Sequence, residues 1–360
     1  MAKTQTHVVI MAAEYAILMS AMKGAFYQGN KRFSVGEVKP QSPGTGQVRL
    51  KVDYCGICGT DFHAYLGHMD QRIKAPQVIG HEMSGTVVEV GEGVTGFKMG
   101  DKIVVRPLDP CQKCPACQSA YYHICHHLNF MGIDTPGAFQ GTWTVPAHTL
   151  HHLPDTIDLK RAAMIEPVAV AAHDVRLGQV TDKDYVVVLG AGPIGALVAL
   201  LAKIKGAQVL VSEINQFRVN LARELGMEVV NPLEIDLPKY VEEQTGTAGA
   251  DVIFEVTGLP SGAEMMTKLA RTRGRIVIVG IHAEPVKVDL RRMFMRELRM
   301  LGVRVYEPED FEAAISLVAT DALPLERLIS DIRPLEQVQA TFEEIERGAN
   351  FMKVLLKCSD

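Results

Sequence analysis

The sequence predicts an α/β protein in two parts, a β-rich part and a doubly wound parallel sheet. Three observations carry that expectation. Between residue 22 and about residue 155, short strand-like runs such as 48–52 and 85–90 are separated by glycine turns, with Gly91, Gly93, Gly96 and Gly100 punctuating one stretch. From Asp184 onward, continuous apolar runs at 185–189, 208–212, 251–256 and 275–279 alternate with helical segments. Strands buried on both faces of a parallel sheet read in this way. Between the first of these runs and a predicted helix over 193–205 lies Gly190-Ala191-Gly192-Pro193-Ile194-Gly195.

The elements follow in order. Residues 8–13 and 15–22 are apolar with Glu14 between them. That is too short and interrupted for a membrane span, and no signal-peptide cleavage pattern accompanies it. Residues 1–21 are therefore expected to be an extension, with Met22 as a candidate biological start. After the β-rich part, residues 159–177 read as one helix, its apolar positions Ala162, Ala163, Ile165, Val168, Ala169 and Ala172. The parallel sheet follows, then a helix at 310–319 and a strand-like 353–357 that rejoins the first part. The expected domains are 22–175 with a cysteine lobe at 109–127, then 176–308, with 309–360 returning to the first.

Composition narrows the function classes. The 360 residues accommodate about two domains. An apolar fraction of 47% supplies ample core. The net charge is −5 and no basic block occurs, which argues against nucleic acid as partner, including a nucleic-acid zinc ribbon. Seven clustered cysteines do not make a secreted disulfide scaffold, so a reducing, cytoplasmic setting is expected. Cys55 and Cys358 are left over as thiols without an assigned role.

The Gly190 run has the context that a dinucleotide fingerprint requires, a buried strand before it and a helix after. Gly190 allows the tight turn, Gly192 the approach of a pyrophosphate, and Gly195 close packing of helix on strand. Pro193 is preset for the first helical turn, whose N-terminus attracts phosphate. Glu213 ends the next strand, 23 residues after Gly190. A carboxylate there accepts from ribose hydroxyls and repels a 2′-phosphate, which favours NAD. Arg218 either favours NADP or packs on the adenine. The plainer alternative for Glu213 is a solvated charge at a strand end.

Cys111, Cys114, Cys117 and Cys125 form C-x2-C-x2-C-x7-C. Four thiolates at that spacing close around one structural zinc; an iron–sulfur cluster is the runner-up. Cys58, His81, Glu82 and Glu166 supply one thiolate, one imidazole and two carboxylates. That set suits a zinc with one coordination position open.

On the motifs Gly56-Ile57-Cys58-Gly59-Thr60-Asp61, Gly80-His81-Glu82, the four-cysteine lobe, Glu166-Pro167 and the Gly190 loop, the chain from residue 22 onward resembles the zinc-dependent medium-chain alcohol dehydrogenases. Within them it is most similar to the polyol (sorbitol-type) and butanediol branch. The resemblance implies a GroES-like catalytic domain plus a Rossmann domain, two zinc ions per chain, NAD, and assembly as homodimers or homotetramers. It implies Cys58 and His81 as catalytic zinc ligands, with Glu82 and Glu166 exchanging the roles of direct ligand and carboxylate on the metal's water. Asp61 orients His81, and Thr60 and His63 relay the proton. Ile194, Thr257, Val279 and Ile281 complete the cofactor-binding set with Gly190, Gly192, Pro193, Gly195, Glu213 and Arg218.

Glu166, where simple alcohol dehydrogenases often carry cysteine, favours a secondary alcohol with a neighbouring hydroxyl: a polyol, sugar or vicinal diol. Phe130 and Tyr306 are candidate pocket residues or ordinary core. Arg304-Val305-Tyr306 displaces by one position an arginine that polyol-type members place directly before the aromatic. Threonine dehydrogenase-like activity, simple alcohol oxidation, and a catalytically silent binding or structural role are the alternatives. No membrane or nucleic-acid partner is expected.

Overall fold

The computed structural model describes residues 22–359; the expected extension over 1–21 lies outside them. The chain forms two compact units. The first runs to Pro115 and adds Cys125–Met164 and the chain from Ile329; the second holds Ala116–Ile124 and Ile165–Leu328.

The first unit is built on a seven-stranded sheet around the strand Gln47–Gly56. Val48, Leu50 and Val52 alternate into the core with no exposure, as a period-two pattern requires. This strand pairs antiparallel with Glu82–Val90, Thr142–Pro146 and the C-terminal Lys353–Lys357. Its register opposes Gly56 to Glu82. Cys58 thus follows the end of one strand while His81 precedes the start of its partner. A smaller sheet orders Phe33–Val38, Met22–Tyr27 and Gln77–Val78, and Phe33 packs 4.8 Å from the Phe342 ring.

The second unit carries six parallel strands, in spatial order Glu228–Val230, Gln208–Ser212, Tyr185–Leu189, Ala250–Glu255, Ala270–Ile278 and Arg299–Gly302. Numbered along the chain, this is 3-2-1-4-5-6, the doubly wound order. Ligands of such sheets bind beyond the strand ends where the order reverses, here between Tyr185–Leu189 and Ala250–Glu255. Val186, Val187, Val188, Ile253 and Phe254 are fully buried, which explains the unbroken apolar runs.

Two expectations change in detail. Residues 159–177 are not one helix but two, Leu159–Ala162 and Ile165–Leu177. Pro167 has no N–H for the Ala163 carbonyl and its ring would clash there, so the helix restarts with Pro167 in its first turn. The strand expected at 275–279 is longer, Ala270–Ile278, with a register irregularity between Ala250 and Val252 in its partner. The compact units part at Met164/Ile165 and Leu328/Ile329, whereas the sequence pattern places boundaries at 175/176 and 308/309. Helices Ile165–Leu177 and Pro308–Ala319 both lie in the second unit and pack on each other. Among the described residues, no helix is long and apolar enough to cross a membrane.

Candidate active site

Donor atoms of Cys58, His81 and Glu82 lie within 4.8 Å of one another. Asp61 organises them. Fully buried, it accepts the Cys58 backbone N–H at 2.9 Å through Oδ2, while Oδ1 lies 3.5 Å from His81 Nδ1. The arrangement follows from local structure: Cys58 is the N-cap of the helix Gly59–Tyr65, and Asp61 closes a capping box with it. Burial lowers the proton affinity of His81. The Asp61 charge and hydrogen bonds with Asp61 and Cys58 outweigh it, leaving the imidazole well above its ordinary value. A ring whose Nδ1 faces a carboxylate presents a basic Nε2 to a metal. This donor set fits zinc. Phe130 packs edge-on against His81, ring centroids 4.9 Å apart.

Glu82 has a partner that the motif reading missed. Lys353 Nζ, itself buried, lies 2.8 and 2.7 Å from the two Glu82 oxygens and donates to the Ile57 carbonyl at 3.0 Å. The only signal in the sequence is a lysine inside the apolar run 352–356.

Thr60 and His63 lie on the helix that Cys58 caps, three residues apart on one face. His63 Nδ1 approaches His68 Nδ1 at 3.1 Å, a neighbour not anticipated from sequence. Burial, then the His68 charge, lowers the His63 pKa below its ordinary value. Glu166 opens the helix Ile165–Leu177 in the second unit, where it is buried and accepts from the Tyr306 hydroxyl at 2.9 Å. Tyr306 is fully buried.

The four cysteines of the lobe also come together within 4.8 Å. Cys125 Sγ lies 3.4 Å from Cys111 Sγ and 3.7 Å from Cys114 Sγ. A tetrahedral zinc with ~2.3 Å bonds has sulfur–sulfur edges of about 3.8 Å. Backbone N–H groups of Cys111 and His127 donate to Cys125 Sγ and that of His126 to Cys114 Sγ, at 3.3 to 3.4 Å. Thiolates are thus already supported, and backbone hydrogen bonds lead the causes that lower the Cys111 pKa. A further group, His173, Glu307 and Asp310, also falls within 4.8 Å. Arg176 fills that role: its guanidinium donates to Glu307 and, at 2.6 and 2.8 Å, to both Asp310 oxygens.

In the second unit, Gly190 has φ +98° and a Cβ at Gly195 would lie 2.0 Å from the Gly190 carbonyl. Only glycines satisfy both. Gly192 caps the helix Pro193–Ile204, with Pro193 first and Ile194 second in it. Glu213 accepts from Ala191 N at 2.7 Å and from Ile214 N and Asn215 N at 2.8 Å. Three of about four carboxylate acceptor sites are filled, leaving capacity for roughly one further donor. Arg218 Nη1 lies 3.8 Å from the Cβ position of Gly192. The Thr257 methyl lies 3.1 Å from that of Gly190, while Val279 and the exposed Ile281 follow the strand Ala270–Ile278.

Residues 44–155 match the family model described as alcohol dehydrogenase GroES-like domain, and residues 193–320 that described as zinc-binding dehydrogenase. A 2-dehydro-3-deoxy-L-galactonate 5-dehydrogenase from Pseudoalteromonas atlantica is 51% identical over 94% of this chain and 99% of its own. A sorbitol dehydrogenase from Halalkalibacterium halodurans is 35% identical over 91% of this chain and 96% of its own. Among solved structures, 2R,3R-butanediol dehydrogenase from Bacillus subtilis superposes with TM-score 0.86 at 30% identity, covering 94% of this chain and 99% of the other.

Proposed function

The chain belongs to the zinc-dependent medium-chain alcohol dehydrogenases, oxidoreductases moving hydride between an alcohol and a nicotinamide dinucleotide, and we propose that here the dinucleotide is NAD and the alcohol a secondary hydroxyl of a sugar acid. The carrying observation is the 51% identity, over nearly the whole of both chains, to a dehydrogenase named for the 5-position of a 2-dehydro-3-deoxy sugar acid. That 5-hydroxyl is secondary and has hydroxylated neighbours, which agrees with the vicinal-hydroxyl preference inferred from Glu166. A polyol is the second reading, favoured by the sorbitol dehydrogenase likeness.

In this reading Cys58, His81 and Glu82 hold the catalytic zinc, and Cys111, Cys114, Cys117 and Cys125 the structural one. Bound there, the catalytic zinc supplies Lewis-acid polarisation of the substrate hydroxyl. Asp61 keeps the His81 ring in orientation, and Lys353 balances the Glu82 charge. Thr60 takes the hydroxyl proton. His63, its proton affinity lowered by burial and by His68, receives it and passes it toward the exposed His68. Glu166, offered by the family likeness as an alternative ligand, is not in the donor group of Cys58, His81 and Glu82, and for it we keep only the general catalytic role that the likeness implies. The Gly190 loop and the helix Pro193–Ile204 take the pyrophosphate, and Glu213 the adenosine ribose.

We place the protein in the cytoplasm, supported by seven cysteines that form no disulfide with one another. We further propose a homo-oligomer. The strand Arg299–Gly302 ends the parallel sheet, and Leu290, Phe294 and Met295 on the helix Leu290–Arg296 are 68 to 81% exposed. Unpaired sheet edges and apolar patches of this kind mark interfaces; sedimentation of the Phe294→Asp variant against wild type tests it. The substrate is tested by kcat/KM for 2-dehydro-3-deoxy-L-galactonate, sorbitol, 2,3-butanediol, threonine and ethanol. The sugar acid is expected to lead. Sorbitol in first place moves the protein to the polyol reading, and ethanol or threonine in first place removes both.

A further inference from the structure

The second unit holds a buried carboxylate that no step above uses. Glu255 ends the strand Ala250–Glu255, one of the two central strands between which the order reverses, and it is fully buried. Its Oε1 accepts from the Thr257 backbone N–H at 3.0 Å and from the Thr257 hydroxyl. Its Oε2 accepts from Gly258 N at 3.2 Å and lies 3.2 Å from His282 Nε2. Its backbone carbonyl accepts from Val279 N at 2.9 Å and Gly280 N at 2.8 Å. One residue therefore ties together the turn after the fourth parallel strand and the turn after the fifth.

Space is kept for this carboxylate. A Cβ at Gly262 would lie 2.3 Å from Oε1, and one at Gly280 would lie 2.8 Å from Oε2. Beyond it, Thr257 abuts Gly190 of the phosphate-binding loop. The contacts thus run His282, Glu255, Thr257, Gly190. His282 Nδ1 is buried and has no hydrogen-bond partner among the described residues.

We propose that His282 is a positioning residue for the dinucleotide. Through Glu255 it fixes the turn at Thr257 and Gly258 against the Gly190 loop, so that the loop is preformed for cofactor. Without the imidazole, the Glu255 oxygen loses its restraint from the fifth-strand turn and the Thr257 turn is free to rearrange. Ordering that turn then falls on cofactor binding and weakens it. The inference rests on the dinucleotide reading of the Gly190 loop.

The test is the dissociation constant of NADH, read from NADH fluorescence without alcohol substrate, on zinc-loaded wild type, His282→Ala and His282→Gln. Glutamine places an amide N–H near the Nε2 position. His282→Ala is expected to weaken NADH by about tenfold, with the loss in turnover appearing in the KM for NAD rather than in kcat. His282→Gln is expected to recover most of it. Wild-type affinity in His282→Ala overturns the proposal, as does an equal loss in both variants. Should His282→Ala fail to fold, Thr257→Val, which removes the hydroxyl donor to Glu255, is expected to weaken NADH several-fold, and unchanged affinity there overturns the proposal. Wild-type protein that binds no NADH overturns the dinucleotide reading and this proposal with it.

Discussion

Lys353 carries its ammonium into the interior beside Glu82, where neither charge meets bulk water. Removing one member of such a pair strands the other, at a cost of about 3–5 kcal/mol. Lys353→Met is therefore expected to lower stability by that amount, and Lys353→Met with Glu82→Gln to recover part of it. A double-mutant cycle by denaturant unfolding measures the coupling, and additive losses would remove the pairing argument. Glu213→Ser removes the charge that opposes a 2′-phosphate. It should narrow the NAD over NADP preference by about tenfold in kcat/KM, and an unchanged ratio counts against the role given to Glu213. The meeting of Cys58, His81 and Glu82, and the place of Glu213 beside the Gly190 loop, were legible in the sequence because each stands in a short motif whose spacing is itself the signal. Lys353 was not, because it lies 271 residues from Glu82 and only sheet pairing brings it there. His282 was hidden for a related reason: its role runs through Glu255, and no spacing rule joins them.

Two helices show how far local pattern reaches. The apolar periodicity of 159–177 was visible, and so was Pro167; the break follows from giving Pro167 its steric weight. The partner of the helix Ile165–Leu177 was not visible. It is Pro308–Ala319, joined through Asp310, which takes His173 Nδ1 at 2.7 Å and the Arg176 guanidinium. Burial pushes the Asp310 carboxyl up, but hydrogen bonds from Arg176 and His173 outweigh it and hold it well below the usual range. A depressed carboxyl stabilises fully above its unfolded value near pH ~4 and loses that contribution as pH falls toward the folded value. Asp310→Asn should thus cost about 2–4 kcal/mol at pH 7, with a deficit that shrinks between pH ~4 and ~2. A deficit independent of pH in urea titrations would exclude the ion pair as its cause. In the cysteine lobe, Cys114→Ser is expected to remove one of two zinc equivalents by elemental analysis and to lower Tm. Wild type with a single equivalent would mean that one of the two sites was misread.

At the scale of the molecule, the alternation of strands and helices announced the parallel sheet, since contiguous chain builds it. The first sheet was harder to foresee, for its strands come from residues as distant as Gln47 and Lys357. Deleting residues 353–360 removes both a sheet strand and the partner of Glu82. The truncated chain is expected to fold its parallel-sheet unit while failing to retain the catalytic zinc, which limited proteolysis and metal analysis would report. A truncated chain with full zinc would show that the strand is dispensable. The same strand governs the order in which a newborn chain becomes an enzyme. Gly56 and Leu355 are paired, yet about 300 residues of synthesis separate them, some 15–60 s at bacterial-like rates of about 5–20 residues per second. Through that interval the edge of Gln47–Gly56 has no neighbour on the Lys353 side, and Cys58 stands beside an unfinished sheet. Until residues 353–357 emerge, that edge stays open to pairing with another chain, so the sheet beside Cys58 is completed only late in synthesis.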